Sequence, residues 1–215
     1  LLDGQHRLMA VAKTGIPTWF HIAEECDEEI FKVLDTGSTR NAGDIFNING
    51  VKNCSKLPSI IQFYYFLKKN KGQGLSVDGV QKNFKYSNHA LWDLYENNQQ
   101  LFDYVATKTA KLYNSFGKVL TTQVIGGMYL YFRDINIEDA DEFMEQLCSG
   151  QNIKNNSIAI LRAKLIADKI ATRKMALTIK HALIIKTWNF YRTDTVIKLI
   201  KFDPSVEKTP VAISY

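Results

Sequence analysis

The feature that most constrains this fold is an apolar stripe that recurs at a 3.6-residue spacing in successive segments after Ser55. At least six segments carry the stripe, whereas only one or two stretches of the chain have the pattern of a strand. Helices with one apolar face bury that face against one another. Residues 54–215 are therefore predicted to form a helical domain whose C-terminal helices are basic. The predicted helices cover 57–69, 87–97, 101–113, 119–132 and 138–148.

Two adjacent glycines, Gly126 and Gly127, interrupt the middle of the predicted 119–132 helix. Each costs about 1 kcal/mol relative to Ala in a helix interior. We therefore expect this pair to mark either a kink or a close crossing of two helices. A dinucleotide-binding role is not supported, because the pair has neither a third glycine nor a surrounding βαβ pattern.

The start of the chain concentrates polar groups in one turn. Asp3 can cap a helix, Gly4 permits a tight backbone turn, and Gln5, His6 and Arg7 follow in the first helical turn. Free N–H groups at a helix start favour an anion, and Arg offers a planar fork of donors to its oxygens. This turn is predicted to bind phosphate or carboxylate.

The residues after this turn predict a short helix and then a strand. Leu8, Val11 and Ala12 share one helical face, and Gly15 is placed to end the helix. The apolar segment Thr18–Ala23 is predicted to be a buried strand. With residues 42–49, predicted as a helix that ends at Gly50, these elements form a small α/β module over residues 1–53. The predicted fold class is thus α+β and predominantly α.

Several of these motifs resemble those of the ParB/sulfiredoxin superfamily. Asp3–Leu8 is similar to the DGQHR signature of ParB-like proteins of phages and mobile elements, and Phe31–Gly50 is similar to the segment that follows it. Thr187–Arg192 is similar to the end of the same family. The resemblance implies that Gly4, Gln5 and Arg7 bind a nucleotide phosphate, with Asp3 and His6 as catalytic candidates and a nucleoside triphosphate with Mg²⁺ as the ligand. It also implies that upstream residues supply partner strands, since the chain opens within the motif.

The resemblance does not specify a reaction. Gln5 stands where sulfiredoxins carry a reactive Cys, which excludes their thiol chemistry. The partition proteins carry a Glu-Arg-Arg run, of which only Arg7 is retained, while free-serine kinases of this fold carry a similar Asp-Gly-His-His-Arg sequence. Nucleotide hydrolase, nuclease and kinase activities therefore remain open.

A second candidate site is the loop that contains Asp35, Thr36, Gly37 and Arg40. The resemblance places this loop in the segment that follows the first motif, whereas turn chemistry alone makes it a connector between helices. An aspartic protease is excluded, because that chemistry requires two such carboxylates and the Asp-Thr-Gly triplet occurs once.

The basic charge of the chain lies near its C-terminus. Residues 154–215 hold twelve of the 27 Lys and Arg residues but only four of the 22 Asp and Glu residues. If residues 157–191 form one continuous helix, four cations fall on one line along it. This basic ridge, predicted either to bind a nucleic-acid backbone or to be a solvated face, consists of Arg162, Lys169, Arg173 and Lys180.

Other features narrow the class of protein. The three cysteines are odd in number and far apart, and the four histidines form no spaced pair, so neither disulfides nor a metal site is predicted. No run of residues is apolar enough to span a membrane. The predicted location is the cytoplasm of a bacterial or phage-infected cell.

Two functions fit these observations. The first is a nucleotide-dependent ParB-like protein whose helical domain contacts DNA or a partner. The second is a non-enzymatic assembly module, in which the phosphate turn serves only as a helix cap and a homo-oligomer is expected.

Overall fold

Helices make up the regular structure of this chain. A computed structural model describes residues 4–26, 41–71 and 85–214, and within these ranges it contains nine helices and no strand. The prediction of a mainly helical protein is therefore confirmed. In chain order the helices are α1 (Gln5–Thr14), α2 (Ala42–Ile48), α3 (Leu57–Lys69), α4 (Asn88–Glu96), α5 (Gln99–Ser115), α6 (Thr122–Arg133), α7 (Ile137–Ser149), α8 (Asn156–Ile170) and α9 (Leu177–Arg192).

The chain divides into two compact units, Leu1–Asn41 and Ala42–Tyr215. The predicted boundary after residue 53 falls inside the second unit. Helix α2 belongs there because Phe46 is fully buried and its ring lies 5.0 Å from that of Tyr95 in α4. Of the described helices, none has the length and apolar character required to cross a bilayer.

In the first unit, α1 ends as its sequence predicts. Gly15 adopts a left-handed conformation with φ of 66°, and its N–H donates to the Val11 carbonyl at 2.8 Å. None of the α1 residues is buried. The predicted strand at Thr18–Ala23 is wrong: these residues have no regular structure, and Trp19 is fully exposed. A strand requires the hydrogen bonds of a partner strand, and none occurs among the described residues.

At the centre of the second unit, α3 packs closely against α6. A Cβ atom on Gly127 would overlap Cδ1 of Phe63, and one on Gly126 would lie 2.9 Å from the Ile60 side chain. Helix α6 continues through both glycines. Of the two predicted alternatives, the glycines therefore mark the close crossing and not a kink.

An aromatic cluster joins α6 to two further helices of this unit, α7 and α9. The Trp188 ring of α9 stacks on Phe132 of α6, with ring centroids 4.4 Å apart and planes 4° from parallel. Phe143 of α7 packs edge-on against both rings at 5.5 Å. All three side chains are fully buried. Because aromatic side chains bury large apolar areas, this cluster is a major source of stability.

Residues 157–191 do not form the one continuous helix on which the basic ridge depends. Helix α8 ends at Ile170 and α9 begins at Leu177. The intervening turn contains no Gly or Pro, so the sequence gives no stop signal. Instead, Asp168 accepts a hydrogen bond from the Met175 N–H, and the Lys174 ammonium donates to the carbonyls of Asp168 and Lys169. Side-chain bonding to the backbone thus ends the helix.

After α9 the chain follows the surface of α8 and α9 without regular structure. The Asn156 side-chain amide accepts a hydrogen bond from the Ile197 N–H at 3.1 Å and donates one to the Ile197 carbonyl at 2.6 Å. Asn189 similarly donates to the Val211 carbonyl and accepts from the Ile213 N–H. Ile200 is buried between these two attachments. This C-terminal segment is therefore part of the packed second unit.

Candidate functional site

The first turn of α1 has the backbone geometry expected of an anion site. Gly4 precedes the helix with φ of 90°, a conformation that favours glycine, and no described side chain caps the helix start. The first intrahelical bond runs from the Leu8 N–H to the Gly4 carbonyl at 2.9 Å. The N–H groups of the three preceding residues consequently have no helical partner. They lie at the positive end of the helix dipole.

The side chains of this turn extend into solvent. Gln5, His6 and Arg7 are exposed, and none bonds to another residue that the structure describes. Asp3 lies outside the described residues. His6 thus has no described carboxylate or nucleophile beside it, and acid–base chemistry would need a partner.

The second predicted site cannot be compared with the structure. Asp35, Thr36, Gly37 and Arg40 all lie outside the described residues. Their assignment as a functional loop stays a prediction.

The four cations of the predicted basic ridge do not share one helix. Arg162 and Lys169 belong to α8, Arg173 lies in the turn, and Lys180 belongs to α9. The line drawn through them assumed an unbroken helix, and the turn at residues 171–176 removes that register. Their role in binding nucleic acid remains a prediction.

Three of these cations make internal contacts, and the simplest is a hydrogen bond from the Lys169 ammonium group to the Gly117 carbonyl. The Arg162 guanidinium donates to the carbonyls of Leu147 and Cys148, at 2.6 and 2.7 Å, and so satisfies the end of α7. Lys180 forms an ion pair with Asp168 at 2.5 Å, where the two side chains are only 15% and 4% exposed. Either residue would have to break these contacts to grip a phosphate. Arg173 is exposed and makes no described ionic or hydrogen bond.

Most other Lys and Arg side chains near the C-terminus also bond within the protein. Eight of the twelve Lys and Arg residues after position 153 bond to a carboxylate or a carbonyl of the described chain. The exposed side chains that make no such bond are those of Arg173, Lys198, Lys201 and Lys208. Sequence counting missed this distinction, because a charge count cannot show which ammonium groups already have partners.

Buried reactive side chains do not form a second centre in the described part of the chain. Burial, and to a smaller extent the charge of Lys180, lowers the pKa of His181 to about 4. Both of its ring nitrogens lack hydrogen-bond partners, and the ring packs 4.8 Å from that of Phe63. Burial raises the pKa of the Cys148 thiol to about 12. No group of three or more potential metal ligands occurs among the described residues.

Sequence reasoning missed a polar pocket of about 370 Å³ in the second unit. It lies between the loop that follows α2 and the side of α5. Burial, together with a hydrogen bond to Asp103, raises the pKa of Tyr95 in this pocket to about 12, which keeps its phenol neutral. The side chains that define the pocket include Asn49, Lys52, Asn53, Tyr95, Gln99 and Asp103.

Comparison with protein-family models, curated proteins and solved structures finds no match to this chain.

Proposed function

We propose that this chain is a ParB-like protein of a phage or mobile element that binds the phosphates of a nucleotide, of DNA or of both in the cytoplasm. The observation that carries the proposal is the start of α1, where three backbone N–H groups have no helical partner and neither they nor Arg7 bond to a described side chain. A helix start of this kind favours phosphate through its N–H groups and its dipole. The proposed ligand is a nucleoside triphosphate with Mg²⁺, and the proposed activity is binding.

Isothermal titration with the common nucleoside di- and triphosphates, with and without Mg²⁺, tests the nucleotide proposal. Arg7→Ala removes the charged donor and should weaken binding by about tenfold or more, since hydrogen bonds to charged groups contribute about 1.5–3 kcal/mol. Lys13→Ala is the matched control, because it removes a cation from the last turn of the same helix. Equal affinities of the Arg7 and Lys13 variants, or no nucleotide binding at all, would refute the phosphate role.

Binding of DNA at the basic ridge requires a different experiment. Arg162 and Lys180 stabilise the fold, so we would replace only Lys169 and Arg173 with Gln. Each lost phosphate contact should flatten the dependence of affinity on salt concentration, without favouring any DNA sequence. Lys85→Gln with Lys111→Gln, two exposed cations that are not part of the ridge, provides the control. If fluorescence anisotropy shows no salt-sensitive DNA binding by the native protein, this part of the proposal fails.

A specific observation favours the assembly module as a second candidate. The first unit exposes a run of large apolar side chains, and large exposed apolar patches mark interaction surfaces. These side chains belong to Leu8, Met9, Ile16, Trp19 and Ile22. Light scattering over a range of protein concentrations would detect a homo-oligomer. If this surface forms the contact between copies, the variant that combines Trp19→Ser with Ile22→Ser should be monomeric in the same measurement.

A further inference from the structure

The loop that forms one wall of the polar pocket is held firmly in place. The Phe46 ring packs against Trp92 and Tyr95, with ring centroids 5.3 and 5.0 Å apart. Directly after α2, the Val51 N–H returns to the Phe46 carbonyl at 2.9 Å, and Gly50 makes the reversal possible with φ of 73°. The 49–53 segment is therefore anchored to buried aromatic rings. A wall built in this way exists before any ligand binds.

The opposite wall is a polar row on α5. Gln99, Asp103 and Thr107 are spaced four residues apart, which places them on the same face of the helix. The Thr107 hydroxyl donates to the Asp103 carbonyl at 3.0 Å, so its side chain is oriented by its own helix. The Tyr95 hydroxyl donates to Oδ1 of Asp103 at 3.0 Å. The Tyr95 bond orients the Asp103 carboxylate and leaves its Oδ2 atom without a described donor.

The two charges of the pocket are unpaired within the described chain. Asp103 has no described ion-pair partner, and Lys52, which lines the same pocket, has none either. Elsewhere in the second unit carboxylates such as Asp134, Asp139 and Asp141 are matched by Lys or Arg. A half-enclosed cavity lined by one carboxylate residue and one lysine, neither of which has a described ion-pair partner, fits a ligand that carries both opposite charges.

We propose that this pocket binds a small zwitterion of the amino-acid type, with its ammonium group on the Asp103 carboxylate and its carboxylate on the Lys52 ammonium group. The amides of Asn49, Asn53 and Gln99 supply neutral donors and acceptors that orient the rest of the molecule. A volume of about 370 Å³ lies at the lower end of the range of small-molecule sites. A phosphate would be repelled by Asp103, so this site is distinct from the turn of α1.

The ligand class is tested with the full chain and single free α-amino acids as probes. Isothermal titration at millimolar concentrations should show saturable binding of at least one of them. The matched N-acetyl amino acid lacks the ammonium charge, and the amino-acid amide lacks the carboxylate. Both analogues should bind at least tenfold more weakly. Equal binding of the analogues, or no binding of any amino acid, would overturn the proposal.

Variants identify the site. Asp103→Asn keeps an oxygen for the Tyr95 hydroxyl but removes the negative charge, and Lys52→Gln removes the positive charge. Each variant should bind the amino acid at least tenfold more weakly than the native chain does. Asp103→Asn should also bind the amide analogue more weakly. Lys118→Gln, an exposed cation that does not line the pocket, should bind as the native chain does. Thermal unfolding checks that each variant is folded. Unchanged affinity in both pocket variants would place the ligand elsewhere and refute the assignment.

Discussion

Helices α1 and α3 both carry an apolar stripe, but only α3 buries its stripe in a core. Both have apolar residues on one face, and both end near the residue that their sequence predicts. Eight residues of α3 are buried, whereas α1 buries none. The pattern forms a helix in each unit, but it stabilises a core only where other helices cover the apolar face. Replacing equivalent side chains in the two units should therefore have unequal effects.

The tryptophans should give the largest contrast. Trp188→Ala removes a fully buried ring that stacks on Phe132, and we expect a loss of about 3–5 kcal/mol in the free energy of unfolding. Trp19→Ala, in the first unit, should change it by less than about 0.5 kcal/mol, because that ring is fully exposed. Urea denaturation followed by circular dichroism measures both. Similar losses in the two variants would show that Trp19 has a partner in solution.

Replacing a buried cation and replacing an exposed one should change stability by nearly as unequal amounts. Burial alone would raise the pKa of Asp168, but hydrogen bonds from Lys180 and the Met175 N–H hold it below the usual value. Lys180→Met leaves this buried carboxylate without its partner and should cost about 3–5 kcal/mol. Arg7→Met in α1 and Arg173→Met in the turn should leave stability nearly unchanged. The same urea series provides the measurement, and a stable Lys180 variant would contradict the buried ion pair.

The histidines of the two units should contribute differently to the pH dependence of stability. Above pH 6.5, His181 is neutral in both the folded and unfolded chains. As the pH falls from 6.5 towards 4, the unfolded chain takes up a proton that the folded chain excludes, so stability should decrease by up to about 3 kcal/mol. His181→Phe should remove this decrease. The substitutions His6→Phe and His21→Phe, at exposed positions, should leave it in place. Denaturation at a series of pH values distinguishes these outcomes.

The smallest of these contrasts concerns the glycines. In Gly127→Ala the new methyl group meets the Phe63 ring, and overpacking of this kind costs about 1–3 kcal/mol despite the better helix propensity of Ala. Gly15→Ala has no neighbouring atom within 4 Å and should affect only the end of α1. Thermal unfolding of the second unit should shift in the first variant alone. An unshifted Gly127 variant would mean that α3 and α6 are less closely packed than described.

Much of the helical framework could be predicted from local signals. The 57–69 helix has the predicted limits, and the helix after Ser87 begins where the serine hydroxyl accepts from the Ala90 N–H. Helix α7 similarly ends at Gly150, which has φ of 75°. Caps and glycines act on the backbone beside them, so a single sequence reveals them. The predicted strand failed because a strand depends on a partner that local signals do not contain.

The candidate sites could be predicted less well. The helix start at Gly4 was recognisable, since a glycine that precedes a helix is a local feature. The basic ridge was drawn on a helix that Asp168 interrupts, and the internal partners of Arg162 and Lys180 come from distant positions. The polar pocket had no sequence signal beyond the spacing of Gln99, Asp103 and Thr107, because its other wall lies about fifty residues earlier in the chain.

The sequence by itself determined where helices form, since the spacing of apolar residues and the caps act over one or two turns. Only the tertiary structure decided which apolar faces are covered, which charges are paired, and where a cavity remains. These properties arise from contacts between residues far apart in the chain. The close approach of α3 to α6 at Gly127 illustrates both levels: the glycines were visible in the sequence, but Phe63, the side chain that requires them, was not.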